Sequence, residues 1–312
     1  MNDNPHLRHS SAKGLLWALA ATAVFSTNWI TVKYALRAFN SDTISFIWLA
    51  AAAVYSLAII LATKQTRQLA FGRREVGSIA VLGISSAGAM LLAWAGVARL
   101  DPSFASFLFR FAPVLIIITG AVVLRERLMK KELLPMALMV LGGFLGAAGA
   151  WKVVGVGAVL ILLSCFCVAV QLLTAKKTVA RLHPNILVFY RTAAGTVAVA
   201  LWVFTFGKVE FDAALSYWLV ALLGALLGPC VGHLLMYRSY RCWDMSRTAL
   251  VATLEPLLVL PMAWLFLSRL PNKQELYGGC VILAGAFWLA WIHLRKKPAG
   301  LSDEAGEACK GK

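Results

Sequence analysis

Long apolar stretches, separated by short polar connections, run through almost the whole chain. The first extends from Gly14 to about Tyr34, close to the ~20 residues that a helix needs to cross a bilayer. Nine more follow, at about residues 43–63, 76–98, 102–124, 133–151, 156–175, 185–206, 214–237, 246–268 and 275–294. This pattern predicts an all-α polytopic membrane protein with ten transmembrane helices.

The composition agrees with a membrane protein and narrows the range of partners. Of the 312 residues, 60% are hydrophobic and 14% are charged, whereas soluble chains have about 25% charged residues. The net charge of +16 does not indicate nucleic-acid binding, because the basic residues lie in the connections between apolar stretches. The lipid bilayer is therefore the expected environment, and no nucleic-acid partner is expected.

The second half of the chain repeats the first at a constant offset of 143 residues. The offset pairs Asp101 with Asp244, Pro113 with Pro256, Glu132 with Glu275, Gly142 with Gly285 and Asn28 with Gln171. Five helices per copy is an odd number, so the copies enter the membrane from opposite sides, as in transporters built from inverted repeats. The predicted units are an N-terminal segment (1–13), a first repeat (14–151), a second repeat (152–294) and a C-terminal tail (295–312).

The basic residues predict the orientation of the chain. With the N-terminus inside, 21 lysines and arginines fall on the inner side and seven on the outer side: Lys33, Arg37, Arg99, Lys152, Lys208, Arg269 and Lys273. Because positive charge accumulates on the cytoplasmic side, both termini are expected in the cytoplasm.

Four ionisable side chains lie inside predicted spans: Arg110, Arg191, His233 and Glu255. Such residues cost at least ~2.5 kcal/mol at the bilayer centre and usually face a partner or a cavity. Arg110 and Glu255 lie near the middle of the fourth and ninth helices, which the repeat makes equivalent. We expect both to line a central cavity, where Arg110 either pairs with Glu255 or receives an anionic substrate group. A purely structural ion pair is the alternative.

The prolines next to these charges, Pro113 and Pro256, are expected to break their helices, because proline removes a backbone donor. Arg191 is expected either to line the cavity or to extend its stem to the interface. His233 is a titratable candidate or a packing histidine. The matched amides Asn28 and Gln171 suit substrate recognition or interhelical hydrogen bonds.

Two kinds of aromatic residue complete the candidates. Tyr190 is a candidate cavity residue, whereas Trp94 is among the tryptophans near helix ends that we interpret as interfacial anchors. Enzyme motifs are missing, including Gly-x-Ser-x-Gly, His-Glu-x-x-His and the phosphate-binding Gly-Lys-Ser/Thr. No catalytic residue, metal site or cofactor is therefore predicted.

Several motifs, in this order and spacing, resemble the EamA branch of the drug/metabolite transporter superfamily. They are Ser26-Thr27-Asn28-Trp29, Pro113, Leu124-Arg125-Glu126-Arg127-Leu128, Leu254-Glu255-Pro256-Leu257 and the Gly-rich last helix from Gly278. The chain departs from the family where Trp48 replaces an arginine of the second helix and where Leu267-Ser268-Arg269 replaces a second Leu-Gly-Glu. The resemblance implies a secondary transporter of the bacterial inner membrane, often an exporter of metabolites, amino acids or drugs, with a cavity that opens alternately to each side.

The predicted function is secondary transport of a small metabolite, amino acid or drug-like solute by alternating access, in the direction of efflux. Glu255 is expected to act as a proton-coupling carboxylate or as a cation ligand. Two arginines against one glutamate favour a zwitterionic or anionic solute. An importer or exchanger of the same fold, a membrane-embedded enzyme or lipid-modifying protein, and a non-transporting assembly subunit are the alternatives. The sequence leaves open whether the protein is a homodimer.

Overall fold

The computed structural model describes residues 5–69, 72–115, 118, 130–147, 155–179, 181–242, 248, 251–268 and 270–295. These residues form helices joined by short turns, and none of them is in a β-strand. The helices are α1 (Pro5–Ala35), α2 (Ser41–Ala62), α3 (Arg73–Arg99), α4 (Pro102–Leu108), α5 (Lys130–Ala147), α6 (Val156–Thr178), α7 (Pro184–Thr205), α8 (Leu215–Cys242), α9 (Glu255–Leu267) and α10 (Lys273–Arg295). A 3-10 turn, Thr66–Leu69, follows α2.

Seven of the described helices are long and apolar enough to cross a membrane, namely α1, α2, α3, α6, α7, α8 and α10. The apolar helices Pro102–Leu115 and Glu255–Leu267 are shorter. The all-helical membrane prediction is therefore confirmed. The predicted motif Leu124–Leu128 and the tail beyond Arg295 lie outside the described residues.

Some helix ends differ from the prediction. The first helix begins at Pro5 rather than at Gly14, and the eighth continues to Cys242 rather than ending near Tyr237. A helix can continue beyond the end of its apolar stretch, because polar residues also form backbone helical hydrogen bonds. Hydropathy alone therefore underestimates these two lengths.

The fourth helix is interrupted just before Pro113. Regular helix ends at Leu108, a 3-10 turn covers Phe109–Phe111, and helix resumes to Leu115. Proline has no N–H to donate to the carbonyl four residues earlier, which here is that of Phe109. That carbonyl instead accepts from the N–H of Ala112, which makes the tighter turn.

Several helix starts, though not all, are capped by polar side chains. Asn40 Oδ1 accepts from Thr43 N at 2.7 Å, and Asp101 Oδ1 accepts from Ser103 N at 2.8 Å. At the start of α7, His183 Nδ1 accepts from Asn185 N at 3.3 Å. Burial lowers the pKa of His183, with smaller contributions from nearby Arg241 and Arg238, so the imidazole is kept in the neutral form that this cap requires.

The helices pack in pairs around a central space. α2 packs on α7, α5 on α10, α3 on α6 and α7, and α1 on α8 and α9. The inner faces are buried, whereas large apolar residues such as Leu16, Ile84, Phe204 and Leu265 are exposed on the outside. An apolar outer surface is the one expected to face lipid.

Candidate functional site

A cavity of about 190 Å³ lies at the centre of the helices, lined by residues of α1, α3, α6, α7, α8, α9 and the interrupted fourth helix. Most of the wall area is apolar, and polar side chains such as those of Ser86, Ser164 and Thr248 lie among the apolar ones. Six of the seven sequence-predicted site residues line it: Asn28, Arg110, Gln171, Arg191, His233 and Glu255. Pro113 also contributes to the wall.

Arg110 and Glu255 form an ion pair on one side of this cavity. Arg110 Nη2 lies 2.7 Å from Glu255 Oε2, and both side chains are less than one-tenth exposed. Trp29 Nε1 donates to the other carboxylate oxygen, Oε1, at 2.5 Å. The carboxylate is therefore held by two donors from the first half of the chain.

The backbone breaks at Pro113 and Pro256 help to position this pair. Arg110 lies in the 3-10 turn that precedes Pro113. Pro256 has no N–H for the carbonyl of Ala252, and that carbonyl accepts from Arg110 Nη1 at 2.5 Å. Glu255 is the first residue of α9, where the helix dipole favours a negative charge.

Arg191 lies elsewhere on the lining and has no acidic partner among the residues that the structure describes. Its Nη2 donates to the carbonyl of Pro229 at 2.5 Å, and Nη1 contacts Ser86 Oγ at 3.4 Å. Arg191 is 1% exposed and lines the cavity, so its guanidinium is not at the membrane interface. Of the two alternatives for Arg191, the structure therefore has the cavity position.

The Pro229 carbonyl is available because α8 contains a π-helical segment, Leu226–Gly232. In a regular helix the N–H of His233 would bond to the carbonyl of Pro229. Here that N–H bonds to the carbonyls of Gly228 and Cys230 instead. π-segments of this kind are frequent at functional sites.

Of the remaining predicted polar residues, His233 and Gln171 contact each other. His233 Nε2 lies 3.2 Å from Gln171 Nε2, and His233 Nδ1 lies 3.3 Å from the carbonyl of Gly228. A carbonyl needs a donor, so Nδ1 carries the proton and Nε2 accepts from the amide, as in a neutral imidazole. Asn28 Oδ1 is buried without a hydrogen-bond partner among the described residues.

Two sequence interpretations differ from the structure. Tyr190 is not part of the cavity wall, because its hydroxyl donates to the carbonyl of Leu69 beside the turn that follows α2. Trp94 is not an interfacial anchor, since it is buried and lines the cavity next to Trp29 and Trp48. Which side of a helix an aromatic residue faces depends on helix packing, which hydropathy does not give.

Two further site features were missed by the sequence interpretation. The Trp29 donor to Glu255 had one available signal, since this tryptophan belongs to the Ser26-Thr27-Asn28-Trp29 motif and directly follows the candidate Asn28. The Pro229 carbonyl had a weaker one, the placement of this proline between Gly228 and Gly232.

The cavity has the composition of a small-molecule binding site. In the part of the chain that the structure describes, no group of three or more His, Cys, Asp or Glu could hold a metal ion. A mostly apolar cavity with a few placed polar groups is typical of a small-molecule site. Apolar outer surface, membrane-length helices and an internal charged cavity together define a multi-pass membrane protein of the transporter class.

The chain belongs to the EamA-like transporter family, whose model matches it twice, at residues 12–146 and 155–291. It therefore falls within the drug/metabolite transporter superfamily, as the sequence motifs predicted. The two matches cover most of each predicted repeat.

Curated relatives and a solved structure agree with this membership. The chain is 25% identical to the pseudopaline exporter CntI of Pseudomonas aeruginosa UCBPP-PA14 over 280 residues, which are 89% of this chain and 95% of the relative. The same protein from strain PAO1 gives the same values. A crystal structure matches with a TM-score of 0.65 at 16% identity, over 91% of this chain and 98% of the other, and so shares the fold.

Proposed function

We propose that this protein is a secondary transporter that exports a small metabolite, amino acid or drug-like solute across the inner membrane by alternating access. The observation that carries the proposal is the central cavity, with the buried Arg110–Glu255 pair on its wall. Family membership supports transport, and the exporter among the relatives supports the direction. We propose no catalytic activity for the site.

A two-fold arrangement of ten helices, as two inverted repeats, is part of the proposal. It is supported by reciprocal contacts between α5 and α10. Gly142 approaches Gly278 and Ile282, and Gly285, 143 residues after Gly142, approaches Pro135 and Met139. These last two lie 143 residues before Gly278 and Ile282, so each contact is the counterpart of the other.

The larger helix pairs follow the same rule. Under the offset α2 corresponds to α7 and α5 to α10, and both pairs pack together. The contact of α3 with α6 has its counterpart in that of α8 with α1. Inverted repeats bind substrate where they meet, and the cavity lies between the residues of the two halves.

The Arg110–Glu255 pair is proposed as the element that couples protons to transport. Arg110 belongs to the first half of the chain and Glu255 to the second, so the pair links the halves across the cavity. Protonation of Glu255 would remove the negative charge that attracts Arg110 and leave a weaker neutral hydrogen bond. The halves could then separate on one side and close on the other.

The membrane orientation is proposed from charge alone. The excess of lysine and arginine on one side supports cytoplasmic termini. The location in the inner membrane is part of the same proposal and is supported by the bacterial exporter among the relatives.

The test compares extracellular metabolites from cells expressing the native protein and the Glu255→Gln variant at equal membrane abundance. We expect a compound that accumulates outside with the native protein and at least about tenfold less with the variant, because glutamine cannot bind and release a proton. Glu210→Gln, which changes an exposed carboxylate away from the cavity, is the matched control and should export normally.

The other outcomes discriminate between parts of the proposal. Equal export by the native protein and by Glu255→Gln would reject the coupling role and keep the transporter. A compound depleted from the medium, rather than accumulated, would show an importer. Profiles identical to those of cells without the protein in both directions would contradict transport itself.

A further inference from the structure

Arg191 carries a positive charge at the cavity that the described residues do not neutralise. The side chain is 1% exposed, and no carboxylate in the described part of the chain lies within ion-pair distance. Arg110, the other arginine of the lining, is already paired with Glu255. The two arginines therefore differ, since Arg110 is neutralised by Glu255 and Arg191 has no acidic partner in the described part of the chain.

The hydrogen-bonding capacity of Arg191 is also incompletely used. A guanidinium has five N–H donors, and the described acceptors are the Pro229 carbonyl and Ser86 Oγ. The Nε atom has no acceptor within the described residues. A buried cation is costly unless it is paired and fully hydrogen-bonded, so this side chain is a poor structural clamp.

The residues around the cavity limit which kind of ligand could neutralise Arg191 and accept its unused hydrogen bonds. The wall of the same cavity includes Met90, Trp94, Val168 and Leu172, which offer apolar contact. Asn28 Oδ1 adds a buried acceptor that has no donor among the described residues. The complementary ligand has one anionic group and an apolar body, and can also carry a donor group.

We propose that Arg191 is the substrate-anchoring residue, and that it binds the carboxylate of a small organic acid or zwitterion whose apolar part packs against Met90 and Trp94. The planar guanidinium matches a carboxylate through two parallel hydrogen bonds, one of them from the free Nε. The inference rests on the proposed transport function and names its substrate class.

The test uses three probes of nearly equal shape on purified full-length protein: phenylacetate, 2-phenylacetamide and phenethylamine. Binding of radiolabelled phenylacetate is measured directly. The unlabelled competitors are 2-phenylacetamide, phenethylamine, acetate and inorganic phosphate. We expect phenylacetate to bind and the amide and the amine to compete poorly, because only the carboxylate neutralises Arg191.

The variants separate a binding role from a structural one. Arg191→Gln is expected to weaken phenylacetate binding about 10- to 100-fold, as the loss of a hydrogen-bonded charge pair predicts. Arg191→Lys keeps the charge without the fork and should lie between. Arg241→Gln is the matched control, since Arg241 donates to the Leu182 carbonyl outside the cavity wall, and it should bind as the native protein does. Size-exclusion profiles establish that each variant is folded.

Three results would overturn the inference. Unchanged phenylacetate affinity in folded Arg191→Gln would remove Arg191 from the site, and stronger binding of the amine, the amide or phosphate would exclude a carboxylate class. Folded native protein that binds neither phenylacetate nor acetate at millimolar concentration would do the same. None of these touches the transport proposal, which fails only if the metabolite profiles match those of cells without the protein.

Discussion

Replacing Arg110 with methionine is expected to destabilise the protein by about 3–5 kcal/mol, since it leaves the charge of Glu255 buried without its partner. Glu255 would keep one donor, Trp29 Nε1, and would lose the ion pair at Oε2. The Ala252 carbonyl would lose its donor at the same time. Thermal unfolding of the purified protein in detergent measures this effect.

The double variant Arg110→Met/Glu255→Met is the informative companion. A buried ion pair replaced by apolar residues of similar volume is often neutral in stability or better, so we expect unfolding near the native midpoint. Export should nevertheless be lost, because the carboxylate proposed to bind the coupling proton and the arginine that pairs with it are both removed. A double variant that exports normally would mean that the pair only clamps the helices. A double variant as unstable as Arg110→Met alone would show that the loss of stability comes mainly from other contacts of Arg110.

Hydropathy and the internal repeat identified both residues of this pair but not the contact between them. The position of Glu255 beside Pro256 in an apolar segment identified it as a functional candidate, and the repeat identified Arg110 in the equivalent helix. The distance between them is not a sequence property, because the two residues are 145 positions apart and meet only through helix packing. The sequence is therefore compatible with both alternatives for Arg110, pairing or binding substrate, and the structure has the pair.

The direction of the Arg191 side chain is likewise not readable from the sequence. A long side chain about two turns from a helix end can extend to the interface or turn inwards, and the sequence does not decide between them. The inward position depends on the carbonyl of Pro229, which the π-helical segment of α8 leaves free. Local register changes such as this one have no periodic signature, so the partner of Arg191 could not be predicted.

Aromatic residues near the cavity were predicted least well, for a geometric reason. Trp94 was assigned to the interface from its distance to a helix end, but its direction around the helix axis places it on the cavity wall. A one-residue change of position rotates a side chain by about 100° on a helix. Membrane helices that are apolar on all sides give no moment from which that direction could be inferred.

Replacing Gly278 with alanine is expected to cost about 3 kcal/mol, the second large effect, because backbone lies against this position on the facing helix. A Cβ there would lie 2.5 Å from the Gly142 carbonyl oxygen and from Gly146 N. Since neither neighbour is a side chain that can change rotamer, α5 and α10 would have to move apart. The yield of folded protein and its thermal midpoint should both fall.

Gly143→Ala, on the helix that faces Gly278, is the matched control. A Cβ at that position would lie 3.7 Å from the nearest atom, Phe111 Cζ, which is an ordinary contact. Alanine is a better helix former than glycine by up to about 1 kcal/mol, so this variant should be as stable as the native protein or more so. Equal stability of the two variants would mean that α5 and α10 can separate without cost. In that case the reciprocal glycine contacts would no longer support the two-fold arrangement.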